Sequence, residues 1–118
     1  MTNIVGEFTV TQYVSQGLVD DLICTAFEGG CAEWIDRIQV INKPADIAYS
    51  SDALTRGGHY VFTVDDEKHE LTLEKFIKGL ELFHATTGKT PQELGEDHDA
   101  DDSDMIMQYA LFGEYVYG

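Results

Sequence analysis

Carboxylates are the side chains of this sequence whose number and spacing point most clearly to a chemistry. The chain has 22 Asp and Glu against 7 Lys and Arg, which gives a formal net charge of −15 over 118 residues. A surface this acidic repels nucleic acid and anionic membranes and attracts basic protein surfaces. One short segment carries the densest group of acids, which are Glu93, Glu96, Asp97, Asp99, Asp101, Asp102 and Asp104. We expect these residues to bind a basic partner protein, with no direct binding of nucleic acid or membrane.

The same segment has part of the spacing of a calcium-binding loop. Asp97, Asp99 and Asp101 match positions 1, 3 and 5 of an EF-hand. The sixth position is Asp102 instead of glycine, and the twelfth is Gln108 instead of a bidentate Glu. We therefore expect no EF-hand. Two interpretations stay open: a solvated acidic loop, or a row of carboxylates that imitates duplex DNA, which carries one charge per roughly 1.7 Å of axis.

No other residues have the spacing of a metal or catalytic site. Cys24 and Cys31 do not have the short C-x-x-C type of spacing that zinc sites use, and no basic residue flanks either thiol to lower its pKa. The four histidines are scattered along the chain; they are His59, His69, His84 and His98. We predict no metal site, no cofactor and no catalytic residue, so an enzyme is the least favoured class.

A glycine-rich turn offers a second kind of binding chemistry. Arg56 precedes Gly57 and Gly58, and an arginine on such a turn can bind a phosphate or carboxylate together with neighbouring backbone amides. The alternative is that Arg56 forms an ion pair with one of the many acids. The first interpretation supports a different function, the sequestration of a nucleotide-type signal.

The residues between these motifs predict one α+β domain over 1–118, with a small antiparallel or mixed sheet packed by about three helices. Alternating apolar residues predict a strand at 4–12, and continuous or β-branched runs predict others at 38–42 and 59–64, the latter forming a hairpin with 69–71. Periodic apolar residues predict helices at 15–27, which Gly29-Gly30 ends, and at 72–84 and 102–112. Shorter elements are a helical piece at 31–37, a capped turn from Thr90, an acidic loop at about 93–104 and an edge strand at 114–118.

The C-terminal block is rich in aromatic and methionine side chains, which suits either a core or a homodimer interface. Its members are Met105, Met107, Tyr109, Phe112, Tyr115 and Tyr117. The first ten residues lack the basic start of a signal peptide, and no segment has the ~18 apolar residues of a membrane span. We therefore expect the protein to be in the host-cell cytoplasm. From the composition of the C-terminal block we expect a homodimer that forms through this block.

Three segments resemble a family of small acidic, uncharacterised proteins that bacteriophages, prophages and gut-type bacteria encode. These segments are ALTRGG at 53–58, ELTLEKFIKGLEL at 70–82 and D-x-x-x-Q-Y-A-L-F-G-E-x-V-Y-G at 104–118, and the stretch 10–30 with AFEGG fits the same pattern. The resemblance implies a phage-type context and carries no catalytic residues. Together with the charge it favours a non-enzymatic inhibitor of a host nucleic-acid-binding or defence protein, such as a CRISPR effector, that acts by nucleic-acid mimicry. The alternatives are the nucleotide-sequestering protein and an accessory or structural protein whose acidity only maintains solubility.

Overall fold

A computed structural model describes residue 5 and residues 11–31 and 33–117. Within these residues the chain forms an α+β fold, as the sequence predicts, with a three-stranded antiparallel sheet and four α-helices in place of about three. The strands are β1 (Arg37–Ile41), β2 (His59–Val64) and β3 (Glu67–Leu71). The helices are α1 (Gln16–Thr25), α2 (Leu73–Thr87), α3 (Pro91–Glu96) and α4 (Ala100–Phe112). The strand predicted at 4–12 lies almost wholly outside the described residues.

The first helix has the start that its sequence predicts and a different end. The Ser15 hydroxyl caps α1 by accepting a hydrogen bond from the Leu18 amide over 3.1 Å. The chain then widens into a π-helical turn, Ala26–Gly30, before it leaves the helix. The helical piece predicted at 31–37 is wrong over its described residues: residues 33 and 34 form a turn, and Arg37 already begins β1. That turn nevertheless buries Trp34.

The sheet has the order β1-β2-β3, with both neighbouring pairs antiparallel. Its central strand β2 alternates buried and half-buried residues, so that Tyr60, Phe62 and Val64 enter the core. The turn between β2 and β3 consists of two residues, Asp65 and Asp66, and both have a positive φ. Because so tight a turn lets pairing resume at once, β3 begins at Glu67, two residues before the predicted start.

The acid-rich segment is mostly helical, so the prediction of an acidic loop at about 93–104 is wrong. Thr90 and Glu93 form the predicted capping box and begin α3. A second capping box begins α4: the Asp102 amide donates to Asp99 Oδ1 over 2.8 Å, and the Asp99 amide donates to Asp102 Oδ2 over 3.3 Å. This second box starts α4 at Ala100, two residues earlier than predicted. Only residues 97–99 separate the two helices.

Helices α2 and α4 pack closely against one another because of one glycine. A Cβ placed on Gly79 would lie 2.8 Å from Ala110 Cβ and 2.8 Å from the Ile106 carbonyl oxygen. Phe76, Phe83 and other apolar residues of α2 join the buried face of α4, α1 and the sheet in one hydrophobic core. This packing fixes the position of α4, which carries three of the seven acids singled out above.

The C-terminal residues 114–117 are not a strand, so the predicted edge strand is wrong over the part that is described. Their backbone instead pairs with the fully buried side chain of Gln108. Gln108 Oε1 accepts from the amides of Val116 and Tyr117 at 2.9 and 2.7 Å, and Gln108 Nε2 donates to the Tyr117 carbonyl at 2.8 Å. Among the described residues, no helix is long and apolar enough to cross a membrane.

Candidate functional site: an acidic helix pair with an aromatic cleft

The seven acids of the acid-rich segment divide into groups with different contacts. Two of them are helix caps: Glu93 accepts from the Thr90 amide, and Asp99 accepts from the Asp102 amide. Both are exposed, so that each keeps its charge at the surface while it fixes the start of a helix. Carboxylates at these positions also interact favourably with the positive end of the helix dipole.

Two further acids are half-buried and have specific partners. Asp102 forms a salt bridge with Lys89 over 2.9 Å, and this hydrogen bond raises the pKa of the Lys89 ammonium. Asp104 Oδ1 accepts the indole N–H of Trp34 over 2.5 Å, and Asp104 Oδ2 accepts from Gln108 Nε2 over 3.1 Å. Asp104 is therefore a fixed negative charge held by two neutral donors.

The remaining three acids, Glu96, Asp97 and Asp101, are exposed. Within the described residues none of them has a side-chain hydrogen bond or a salt bridge to Lys or Arg. They lie at the end of α3, in the connection, and in the first turn of α4. These three carboxylates are the ones free to meet a partner without first breaking a contact within the chain.

His98 holds the connection between the two helices in place. Its Nδ1 lies 2.8 Å from the carbonyl oxygen of Leu94, and its Nε2 lies 3.1 Å from the hydroxyl of Thr25 in α1. The half-buried His98 ring thus links α1 to the acidic segment. The exposed carboxylates therefore project from a supported backbone.

A cleft opens beside these carboxylates, with an approximate volume of 570 Å³. We call it the acidic–aromatic cleft; its lining residues are Gly29, Glu33, Trp34, Ala100, Asp101, Asp104, Tyr115 and Tyr117. The Trp34 and Tyr117 rings stack with an interplanar angle of 2° and centroids 5.5 Å apart. The Tyr115 side chain is 43% exposed. The cleft thus combines aromatic rings with three carboxylates.

Sequence reasoning missed this cleft because its residues come from three separate segments. Trp34 and Glu33 follow the π-helical turn, Asp101 and Asp104 belong to α4, and the tyrosines belong to the C-terminal residues. A signal was present in the sequence: the only tryptophan of a highly acidic chain lies beside Glu33. That signal becomes informative only when the fold shows which acids lie opposite the indole.

The negative field of the cleft affects the groups around it. Burial and the neighbouring Asp104 raise the pKa of the Cys31 thiol, and burial followed by Asp104 and Asp101 raises the pKa of Tyr115. Such a field disfavours any further negative charge and favours a cation. Burial, together with Asp104, keeps the Cys31 thiol protonated, so this thiol is a poor nucleophile.

Arg56 and its glycines form a structure of a different kind. The Arg56 guanidinium donates to Asp20 Oδ2 over 3.0 Å and to the Asp52 carbonyl over 2.9 Å, and its hydrogen bond to Asp20 raises its pKa. Gly57 has a φ of 96°, a backbone conformation that residues with a side chain rarely adopt. The Gly58 amide donates to the Ala53 carbonyl over 2.9 Å. The turn therefore has an explanation within the fold, and an anion would have to compete with Asp20 for the guanidinium.

The C-terminal block is divided between core and surface. Met107 is buried, while the Phe112 ring packs against Trp34 and Tyr117 at centroid distances of 5.5 and 5.9 Å. Tyr115 and Val116 are exposed. Most of the block is thus used inside the chain, and a dimer interface built on it stays a prediction.

Within residues 11–31 and 33–117, no three His, Cys, Asp or Glu side chains converge in a way that would hold a metal ion. The chain matches no protein-family model, no curated protein and no solved structure.

Proposed function

We propose that this chain is a non-enzymatic acidic binding protein of phage type. It acts in the host cytoplasm and inhibits a nucleic-acid-binding or defence protein, such as a CRISPR effector, by presenting carboxylates where that protein binds phosphates. The observation that carries the proposal is the uncompensated charge of Glu96, Asp97 and Asp101 on the α3–α4 surface.

The carboxylates of this surface have fixed positions, which suits a mimic of nucleic acid better than the variable positions of a solvated loop. Capping boxes begin both helices, and His98 supports the connection between them, so the carboxylates are held in place before a partner arrives. A preorganised surface loses less conformational entropy on binding than a flexible one. Its charge also increases the rate of encounter with a basic cleft, an effect that salt reduces.

The structure favours this function over the sequestration of a nucleotide signal. Arg56, the residue that would bind the phosphate, already has a carboxylate partner in Asp20. The acidic–aromatic cleft has the wrong sign of charge for a nucleotide. The third alternative, an accessory role, predicts that the protein has no specific partner.

Affinity capture from a nuclease-treated bacterial lysate, run at low and high salt, tests the proposal. The parent protein is compared with a triple variant, Glu96→Gln, Asp97→Asn and Asp101→Asn. A matched control removes the same charge elsewhere, at the exposed Asp46, Asp66 and Glu74, with the corresponding amides. None of the six side chains makes a hydrogen bond or salt bridge in the described part of the chain.

We expect the parent and the control to retain a nucleic-acid-binding protein at low salt, and the triple variant to lose it. Equal capture by all three proteins would show that the α3–α4 carboxylates do not form the interface. Capture of no protein at either salt would favour the accessory role.

A further inference from the structure

The acidic–aromatic cleft contains a charge that no cationic side chain of the described residues pairs with. Asp104 is half-buried, and both of its oxygens accept from neutral donors, Trp34 and Gln108. Charges removed from water are normally paired with an opposite charge. Within the described residues no Lys or Arg forms a salt bridge with Asp104, Asp101 or Glu33. The cleft therefore has the electrostatic character of a cation site.

Its aromatic residues narrow the class of cation. Tyr117 stacks on Trp34, its hydroxyl donates to Asp65 over 2.9 Å, and Gln108 holds its backbone, so this wall of the cleft is rigid. Tyr115 lies next to it with 43% of its surface exposed. A planar guanidinium can stack on such a ring and donate hydrogen bonds to carboxylates at the same time, whereas an ammonium group is a compact and strongly hydrated charge.

We propose that the acidic–aromatic cleft binds the guanidinium of an arginine side chain from the partner protein, stacked on Tyr115 and hydrogen-bonded to Asp101 and Glu33, with Asp104 as the fixed charge beneath. This inference rests on the proposed function and identifies the residue type through which the partner docks. Arginine is a suitable anchor because nucleic-acid-binding clefts use it to bind phosphates and because it is enriched among the residues that dominate interface energy.

Trp34 is the only tryptophan of the chain, so its fluorescence reports on the cleft without any knowledge of the partner. The probes are hexa-arginine and hexa-lysine, which carry the same charge, titrated into the full-length protein at matched ionic strength. We expect hexa-arginine to change the Trp34 emission and to bind about two- to fivefold more tightly than hexa-lysine, the ratio expected from an exposed cation–π contact.

Single substitutions then locate the binding. Tyr115→Ala should abolish the preference for arginine, and Asp101→Asn should weaken hexa-arginine binding more than Asp97→Asn does. Asp97 is the matched control because it is also exposed and uncompensated but does not line the cleft. Equal affinity for the two peptides, or equal effects of the two aspartate substitutions, would overturn the inference and leave only general attraction to a negative surface.

The peptide titration and the lysate capture fail independently. If the parent captures a partner through the α3–α4 carboxylates but shows no preference for arginine peptides, the arginine anchor is wrong and the proposed function stands. If the cleft selects arginine peptides while no nucleic-acid-binding protein is captured, the cleft is a guanidinium site and the proposed function is wrong.

Discussion

The indole N–H of Trp34 donates to Asp104 Oδ1 over 2.5 Å and so joins the turn before β1 to α4, the helix that carries three of the seven acids. Asp104 is one of the seven acids of the sequence motif, yet its contacts point into the protein. Neutralising the whole motif would therefore alter folding together with charge. Substitution of Glu96, Asp97 and Asp101, which make no side-chain hydrogen bond or salt bridge within the described residues, tests the role of charge without this effect on folding.

Asp104→Ala should lower the free energy of unfolding by about 1–3 kcal/mol, because it removes the acceptor of the largely buried Trp34 N–H. The control is Asp101→Ala, whose side chain is exposed and should change stability by no more than about 0.5 kcal/mol. Urea denaturation followed by Trp34 fluorescence measures both. Equal stability of the two variants would mean that the Trp34–Asp104 hydrogen bond contributes nothing net to the fold.

Gly79→Ala should destabilise the protein by about 1–3 kcal/mol, since the new methyl group would overlap Ala110 and Ile106 of α4. The sign is informative because alanine otherwise favours a helix over glycine by about 1 kcal/mol.

Gly95→Ala in α3 is the matched control for this helix contact, because no atom lies within 4 Å of its added Cβ. Thermal denaturation should show a lower midpoint for Gly79→Ala and an unchanged or higher midpoint for Gly95→Ala. A stabilised Gly79→Ala variant would show that α2 and α4 do not approach as closely as described.

Gln108→Leu should release the C-terminal residues from α4. The amides of Val116 and Tyr117 would lose the Gln108 oxygen that accepts from both of them. Hydrogen exchange followed by NMR should show these two amides exchanging about tenfold faster or more, which corresponds to about 1.4 kcal/mol. The Phe62 amide in the central strand serves as the internal reference. Unchanged protection at Val116 and Tyr117 would mean that other contacts hold the segment.

Stability should fall as the pH rises above about 9, the ordinary pKa of a free thiol. Burial raises the pKa of Cys31 and raises the pKa of Tyr60 to about 12, so the folded state keeps protons that the unfolded state releases. The stabilisation is complete below the unfolded-state pKa values and is lost above them. Urea midpoints between about pH 7 and 11 measure this decline. Cys31→Ala should reduce its slope, and a flat profile would contradict the buried, protonated thiol.

Local sequence signals were sufficient for the elements that local chemistry determines. The helix start at Ser15, the capping box from Thr90 and the β-branched run of β2 each predict the observed structure, because each depends on neighbours within a few positions. The start of α4 at Ala100 depends on the reciprocal hydrogen bonds between Asp99 and Asp102, a capping box that two aspartates form in place of the usual Ser or Thr and Glu. Without this capping pattern, the high density of acids in the segment favours a loop.

The site could be predicted only in part, for a similar reason. Asp97 and Asp101 were correctly expected to be exposed, whereas the buried contacts of Asp104 depend on Trp34, which lies 70 positions away in the chain. The cleft could not be predicted for the same reason, because its lining residues lie far apart in the sequence. Likewise, the C-terminal residues resemble a strand by composition, and only the buried Gln108 side chain explains why they pair with a helix instead.

Nucleic-acid mimicry is tested most directly by competition. The protein captured from the lysate is purified, its Kd for duplex DNA is measured, and the measurement is repeated at rising concentrations of the acidic protein. We expect the apparent Kd for DNA to rise linearly with the concentration of the acidic protein. The triple variant of Glu96, Asp97 and Asp101 should have a much smaller effect. An unchanged Kd for DNA in the presence of saturating acidic protein would contradict mimicry, because the two would then bind different surfaces.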